Sequence, residues 1–126
     1  MTYREAMALI HRTDWKGSKL GLSRIRELLF RIGDPQKKLR FVHIAGTNGK
    51  GSVSSLLAAV LSQAGYRTGL YTSPYVQRFG ERIQVDGVSI TEEEIAAVMT
   101  EVAAASERMV KNGAQPPTVF ELVTAM

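Results

Sequence analysis

The stretch Arg40-Phe41-Val42-His43-Ile44-Ala45-Gly46-Thr47-Asn48-Gly49-Lys50-Gly51-Ser52 decides how the rest of the chain is read. Its first half gathers β-branched and aromatic residues and predicts a short buried strand, with His43 packed within it. Its second half places three glycines, a lysine and a serine within seven residues. Behind it, Val53, Leu56, Leu57, Val60, Leu61 and Ala64 recur at helical spacing, and Gly65 stands where a helix ends. Strand, glycine-rich turn and helix together are the setting a phosphate-binding loop requires. The glycines let backbone N–H groups turn toward a phosphate, the helix N-terminus adds partial positive charge, and Lys50 reaches the outer phosphates. A tight strand-to-helix turn alone would explain neither Lys50 nor three glycines at once.

The loop departs from the common pattern G-x-x-x-x-G-K-[ST] at two places. Ile44 stands where the first glycine would be, and Gly51 stands where a hydroxyl would follow the lysine.

Upstream, Thr2 and Glu5 form a capping box, and Tyr3, Ala6, Met7 and Ile10 make one helical stripe. Residues 13–21 read as a loop with two glycines and the only tryptophan, Trp15. A second helix carries Ile25, Leu28, Leu29 and Ile32, stops at Gly33 and meets the turn signal Asp34-Pro35.

Downstream, Arg67 to Thr72 reads as a second strand. Strand, helix, strand is a βαβ unit, so the two strands are expected to lie parallel with a right-handed crossover. Ligands of open α/β sheets bind beyond the carboxyl ends of the strands, which puts the loop Thr72 to Gly80 on the same rim as the phosphate loop. Asp86-Gly87 then predicts a type I′ hairpin between Glu81–Val85 and Val88–Ile90. Thr91 with Glu94 opens a long helix that ends at Gly113. Gln115-Pro116-Pro117 is a linker, and Thr118 with Glu121 caps a last apolar run. The chain stops at Met126 in mid-pattern. Two parallel strands do not make a stable doubly covered sheet, so the sequence reads as the front of a larger protein.

Composition narrows the classes. The chain has 126 residues, 44% hydrophobic and 22% charged, which suits one globular domain or less. Without cysteine there is no disulfide frame and no thiolate metal site, which a reducing cytoplasm accommodates. No apolar run is long enough to span a membrane, and no signal peptide opens the chain. Residues 1–40 hold ten Lys/Arg against four Asp/Glu, and residues 41–126 hold six against eight. The positives are dispersed without interleaved aromatics, so solvated helix faces account for them better than a nucleic-acid surface does.

Ala45 to Ser52, Leu70-Tyr71-Thr72-Ser73-Pro74, Arg78-Phe79-Gly80-Glu81-Arg82-Ile83 and Thr118-Val119-Phe120-Glu121 closely resemble folylpolyglutamate synthases, called dihydrofolate synthases in their bifunctional form. These are ATP-dependent amide-forming enzymes of the Mur ligase superfamily. Gly21-Leu22, Arg24, Leu28-Leu29, Gly33 and Pro35 fit as well, so the resemblance runs along essentially the whole chain. It implies an α/β fold: the front of a P-loop NTPase-like, mostly parallel open sheet with flanking helices and one β-hairpin. Residues 1–126 would be the N-terminal portion of the ATP-binding, Mur ligase central-type domain.

The activity implied is ATP-dependent addition of L-glutamate to a folate, or to dihydropteroate, through an acyl phosphate. ATP and Mg²⁺ are the implied cofactors, and the parent protein is expected to be a cytoplasmic monomer without nucleic-acid or membrane partners. Gly46, Thr47, Asn48, Gly49, Lys50, Gly51 and Ser52 correspond to the ATP loop, with Lys50 catalytic. Ser73 corresponds to the serine that holds Mg²⁺, with Ser52 as second candidate, and Thr118 and Phe120 match residues lining the pterin pocket. The role of Arg82 stays open between a loop contact and an anionic ligand, and Tyr75 supports no substrate conclusion. The family's acidic and histidine metal ligands, its modified lysine and its glutamate-binding C-terminal domain would lie beyond Met126, so this stretch alone is expected to be inactive. The alternative from another class is a stand-alone P-loop nucleotide-binding module.

Overall fold

A computed structural model describes residues 1–12 and 20–126. The described elements run α1 (Tyr3–Arg12), α2 (Ser23–Arg31), a 3-10 turn (Pro35–Lys38), α3 (Lys50–Gln63), β1 (Gly69–Tyr71), a second 3-10 turn (Phe79–Arg82), β2 (Ile83–Val85), β3 (Val88–Ser89), α4 (Glu92–Lys111) and α5 (Val119–Ala125). They divide into two compact units. One comprises Met1–Arg40 with Glu93–Met126, and the other comprises Phe41–Glu92. The loop expected around Trp15 lies, from residue 13 to residue 19, outside the described residues.

The first unit is helical and holds an apolar core. Ile95, Met99, Val102, Ala105 and Met109 are buried along one face of α4, at the three- and four-residue spacing of an amphipathic helix. Val102, Ala105 and Met109 cluster with Leu28 of α2 and with Leu122 and Ala125 of α5, while Ile25, Leu29 and Ile32 pack against the cluster. The ends of these helices follow the sequence signals. At α1, Thr2 N–H donates to Glu5 at 2.7 Å and Glu5 N–H donates to the Thr2 hydroxyl at 3.3 Å, as a capping box requires. At α2, Gly33 takes a φ of +87°, and the N–H groups of Gly33 and Asp34 close back on Phe30 and Leu29. A side chain at that φ would be strained, so glycine ends the helix.

Among the described residues of the first forty, Arg24 pairs with Glu121, Arg31 with Glu27, and Lys37 with Asp34.

The second unit is a small antiparallel sheet with α3 beside it. The strand order is β1-β2-β3, with Leu70 opposite Gln84, Tyr71 opposite Ile83, and Val85 opposite Val88. Asp86 and Gly87 both have positive φ, +50° and +80°, which is the type I′ turn that Asp-Gly predicts. The Asp86 carboxylate accepts from the Thr68 N–H at 2.8 Å and from the Ser62 hydroxyl at 3.3 Å, so the turn is tied to the end of α3.

The α/β class, the helix beside the sheet and the hairpin stand as expected, whereas the parallel pair does not form among the described residues. Residues 40–45 form no strand, with Phe41 and Val42 exposed, and β1 pairs antiparallel with β2 instead. A parallel strand is buried on both faces and takes hydrogen bonds from neighbours. None of the described strands is ladder-paired with residues 40–45, so their β propensity finds no ladder. His43 is accordingly exposed rather than packed. The hairpin is also shorter at its base, because Glu81 belongs to the 3-10 turn that leads into β2.

Candidate nucleotide site

The glycine loop ends where α3 begins. Gly49, with φ of +75°, turns the chain into the helix, and no side chain caps that end. The first intrahelical bond is Val53 N–H to Gly49 C=O at 3.0 Å, so the N–H groups of Lys50, Gly51 and Ser52 have no intrahelical acceptor. Residues 46–52 are all exposed, and a Cβ at Gly51 would meet nothing within 4 Å. Lys50 folds back over the loop: its Nζ donates to the Gly46 carbonyl at 2.7 Å and to the Thr47 carbonyl at 3.3 Å. An ammonium group and a row of open N–H groups thus border one exposed turn. That is the chemistry of an anion site.

Ser73 lies in the same unit, in the loop after β1. Its hydroxyl accepts from the Arg82 guanidinium at 3.2 Å, and the same nitrogen donates to the Tyr71 hydroxyl at 3.2 Å. Arg82 Nε reaches the Thr72 carbonyl at 3.4 Å, and the guanidinium lies over the rings of Tyr71 and Phe79 at 5.6 and 5.5 Å from their centroids. Arg82 therefore contacts the loop itself, the first of the two roles open to it. Tyr75 meets the buried Phe79 edge-on at 6.0 Å. Further along, the Glu81 carboxylate accepts from the N–H groups of Val76, Gln77 and Arg78. Those bonds, that of Val76 foremost, hold its carboxyl below the usual range.

Thr118 and Phe120 belong to the other unit. The Thr118 hydroxyl is occupied in capping α5: it accepts from Glu121 N–H at 3.2 Å and donates to the Glu121 carboxylate at 3.0 Å. The same carboxylate oxygen accepts from Thr118 N–H at 2.7 Å and from Arg24 Nε at 3.1 Å. Burial pushes the Glu121 carboxyl up, and the bonds from Thr118 and Arg24 outweigh that and leave it lowered. Phe120 is 65% exposed. It is not a core residue, although its apolar context in the sequence reads as one.

Sequence reasoning missed two elements of these regions. Arg24 and Glu121 are 97 positions apart, and no local spacing announces their pairing. The Glu81 carboxylate gathers backbone groups, which carry no sequence signature at all. An open groove of about 260 Å³ beside α3, lined by Ser55, Ala59, Ser62, Leu70 and Gln84 among others, includes no residue of the glycine loop. Among the described residues no three His, Cys, Asp or Glu side chains cluster, and no helix is long and apolar enough to cross a membrane.

No protein-family model matches the chain. Curated proteins do. The chain is 42% identical over 123 residues to the dihydrofolate synthase/folylpolyglutamate synthase of Bacillus subtilis, covering 98% of this chain and 29% of that protein. It is 39% identical to the folylpolyglutamate synthase of Lacticaseibacillus casei, covering 100% of this chain and 30% of that one. Over nearly its whole length the chain is thus similar to folylpolyglutamate synthases. A solved complex of one such synthase with AMPPCP and folate superposes with a TM-score of 0.92 at 40% identity, over 99% of this chain and 31% of that chain. The chain thus spans about a third of the length of the synthases it matches.

Proposed function

We propose that this chain is the N-terminal, ATP-binding portion of a ligase that adds L-glutamate to a folate, and to dihydropteroate as a second acceptor. The observation that carries the reading is the exposed turn at the head of α3, where Lys50 Nζ overlies a loop whose N–H groups have no intrahelical acceptor. The likeness to synthases, one of them solved with an ATP analogue and folate, supports it.

The chemistry follows from charge. A carboxylate is a poor electrophile, and its negative charge repels the γ-phosphate it must attack. Gly46, Thr47, Asn48, Gly49, Gly51 and Ser52 offer N–H groups to the nucleotide phosphates, and Lys50 exchanges its loop carbonyls for a phosphate oxygen. Positive charge held at that point screens the approach and stabilises the transferring phosphoryl group. The carboxylate oxygen bonds to the γ-phosphorus as the bond to the bridging oxygen breaks and ADP leaves, giving an acyl phosphate; the amine of glutamate then displaces phosphate from the acyl carbon and gives up a proton, forming the amide.

Hydroxyl oxygens are hard donors that suit Mg²⁺, which commonly keeps several waters and takes only one or two protein ligands beside substrate phosphates. Ser73 and Ser52 supply such oxygens, and Arg82 occupies only one lone pair of Ser73. When bound there, Mg²⁺ would add charge screening at the phosphates. Thr118 and Phe120 are assigned to the pterin, with the exposed Phe120 ring offering a stacking face. The parent protein is read as a cytoplasmic monomer whose further domain binds glutamate.

Glutamate incorporation by the full-length protein tests the reading. Lys50→Ala is expected to lower turnover by about 10²–10³-fold, the scale of removing one preorganised electrostatic donor. Normal turnover in that variant would overturn the assignment.

A further inference from the structure

The loop after β1 is held at both ends by one short turn. Between Ser73 and Arg78 the chain belongs to no helix or strand. Its backbone N–H groups nevertheless converge. Val76 and Gln77 donate to one oxygen of the Glu81 carboxylate at 3.0 and 3.2 Å, and Arg78 donates to the other at 3.1 Å. Successive N–H groups that close on an anion form a nest, and its occupant here is a side chain of the same molecule. The neighbouring residue, Arg82, grips the beginning of the loop through Ser73, Thr72 and Tyr71. Phe79, in the same 3-10 turn, is buried and packs edge-to-face with Tyr75. Residues 79–82 therefore fix the loop at its start, its middle and its end.

We propose that Glu81 is a positioning residue: through the N–H groups of Val76, Gln77 and Arg78 it sets the conformation in which Ser73 serves the nucleotide site. The inference rests on the reading of Ser73 given above. Glu81 touches no ligand in this account. It acts through three backbone groups, each bonded to a charged acceptor and so stronger than a neutral pair. Gln at this position keeps the shape but replaces one acceptor oxygen by an NH₂ group that faces N–H donors. Asp keeps the charge on a side chain shorter by one methylene.

The test uses the full-length protein as wild type, Glu81→Gln and Glu81→Asp. Amide hydrogen exchange at Val76, Gln77 and Arg78 is measured without ligand, and the Kd for AMPPCP is measured with Mg²⁺. Glu81→Gln is expected to speed exchange at those three amides and to weaken AMPPCP by about tenfold, the lower end for hydrogen bonds to charged groups. Glu81→Asp should recover part of both, and the melting temperature should change little. Unchanged exchange would overturn the clamp. Faster exchange with unchanged AMPPCP affinity would reduce Glu81 to a structural turn residue and overturn the positioning role. If Glu81→Gln does not fold, the same two readouts on Glu81→Asp decide. Failure of the wild type to bind AMPPCP would instead remove the nucleotide reading, and the inference with it, whatever the exchange shows.

Discussion

Among the described residues, every buried apolar side chain but one belongs to residues 1–40 or 93–126, the exception being Phe79. The two units are organised by different forces. The helical unit is ordered by dispersion and apolar burial around Leu28, Val102, Met109 and Leu122. Residues 41–92 are ordered chiefly by polar bonds: Asp86 to Thr68 and Ser62, Glu81 to three amides, Arg82 to Ser73, and Lys50 to its own loop. Helix α3 has no buried residue, and Val53, Leu56 and Val60 stand exposed on it. Substitutions in the first unit should therefore register as stability, and substitutions in the second as ligand affinity.

Arg24→Ala probes the first half of that contrast with the largest expected effect. Arg24 and Glu121 are both 8% exposed, and removing one partner of such a buried pair costs about 3 kcal/mol, the low end because Thr118 still satisfies the carboxylate. Denaturant unfolding measures it; a change near zero would mean that the pair is not what ties α2 to α5. The pair also has a pH signature. The Glu121 carboxyl is lowered in the fold, so its contribution is fully present above the ordinary glutamate range and is lost as pH falls through the lowered value. Unfolding followed from neutral to acid pH should show this loss, and Arg24→Ala should reduce it.

Phe120→Ala sharpens the contrast, because Phe120 sits on the helical unit yet is exposed. If it stacks on a pterin, folate binding should weaken by about 1–3 kcal/mol, the scale of base–aromatic stacking, while ATP binding and the melting temperature hold. Equal losses for both ligands with a large fall in melting temperature would return it to the packing of α5.

The smallest effect is expected at the two serines. Ser73→Ala in the full-length protein should raise the Mg²⁺ concentration required for turnover several-fold, whereas Ser52→Ala should chiefly weaken the nucleotide; the scale follows from losing one oxygen ligand among several. A Mg²⁺ titration of both variants separates them. A shift in Ser52→Ala alone would move the metal role to the glycine loop.

The contrast between the units also explains what could be read in advance. Helix faces are written in local periodicity and helix ends in single residues, so Thr2 with Glu5, Gly33, Thr118 with Glu121 and Asp86-Gly87 were legible. The glycine-rich turn into α3 was legible because its residues are contiguous. Phe41 and Val42 misled because β propensity states a preference, and a strand needs a partner that propensity cannot supply. The Arg24–Glu121 pair was hidden by distance along the chain. The Glu81 clamp was hidden because its donors are backbone groups, the same whichever residues carry them.

Lys50 is the charge at the head of α3, its Nζ hydrogen-bonds to two loop carbonyls, and its removal should leave the fold intact. Calorimetric titration of the full-length protein with AMPPCP and Mg²⁺, alongside a thermal melt, measures both properties in Lys50→Ala. Affinity is expected to weaken by about ten- to a hundredfold, the range for a hydrogen bond to a charged group, at an unchanged melting temperature. Wild-type affinity in the variant would contradict it.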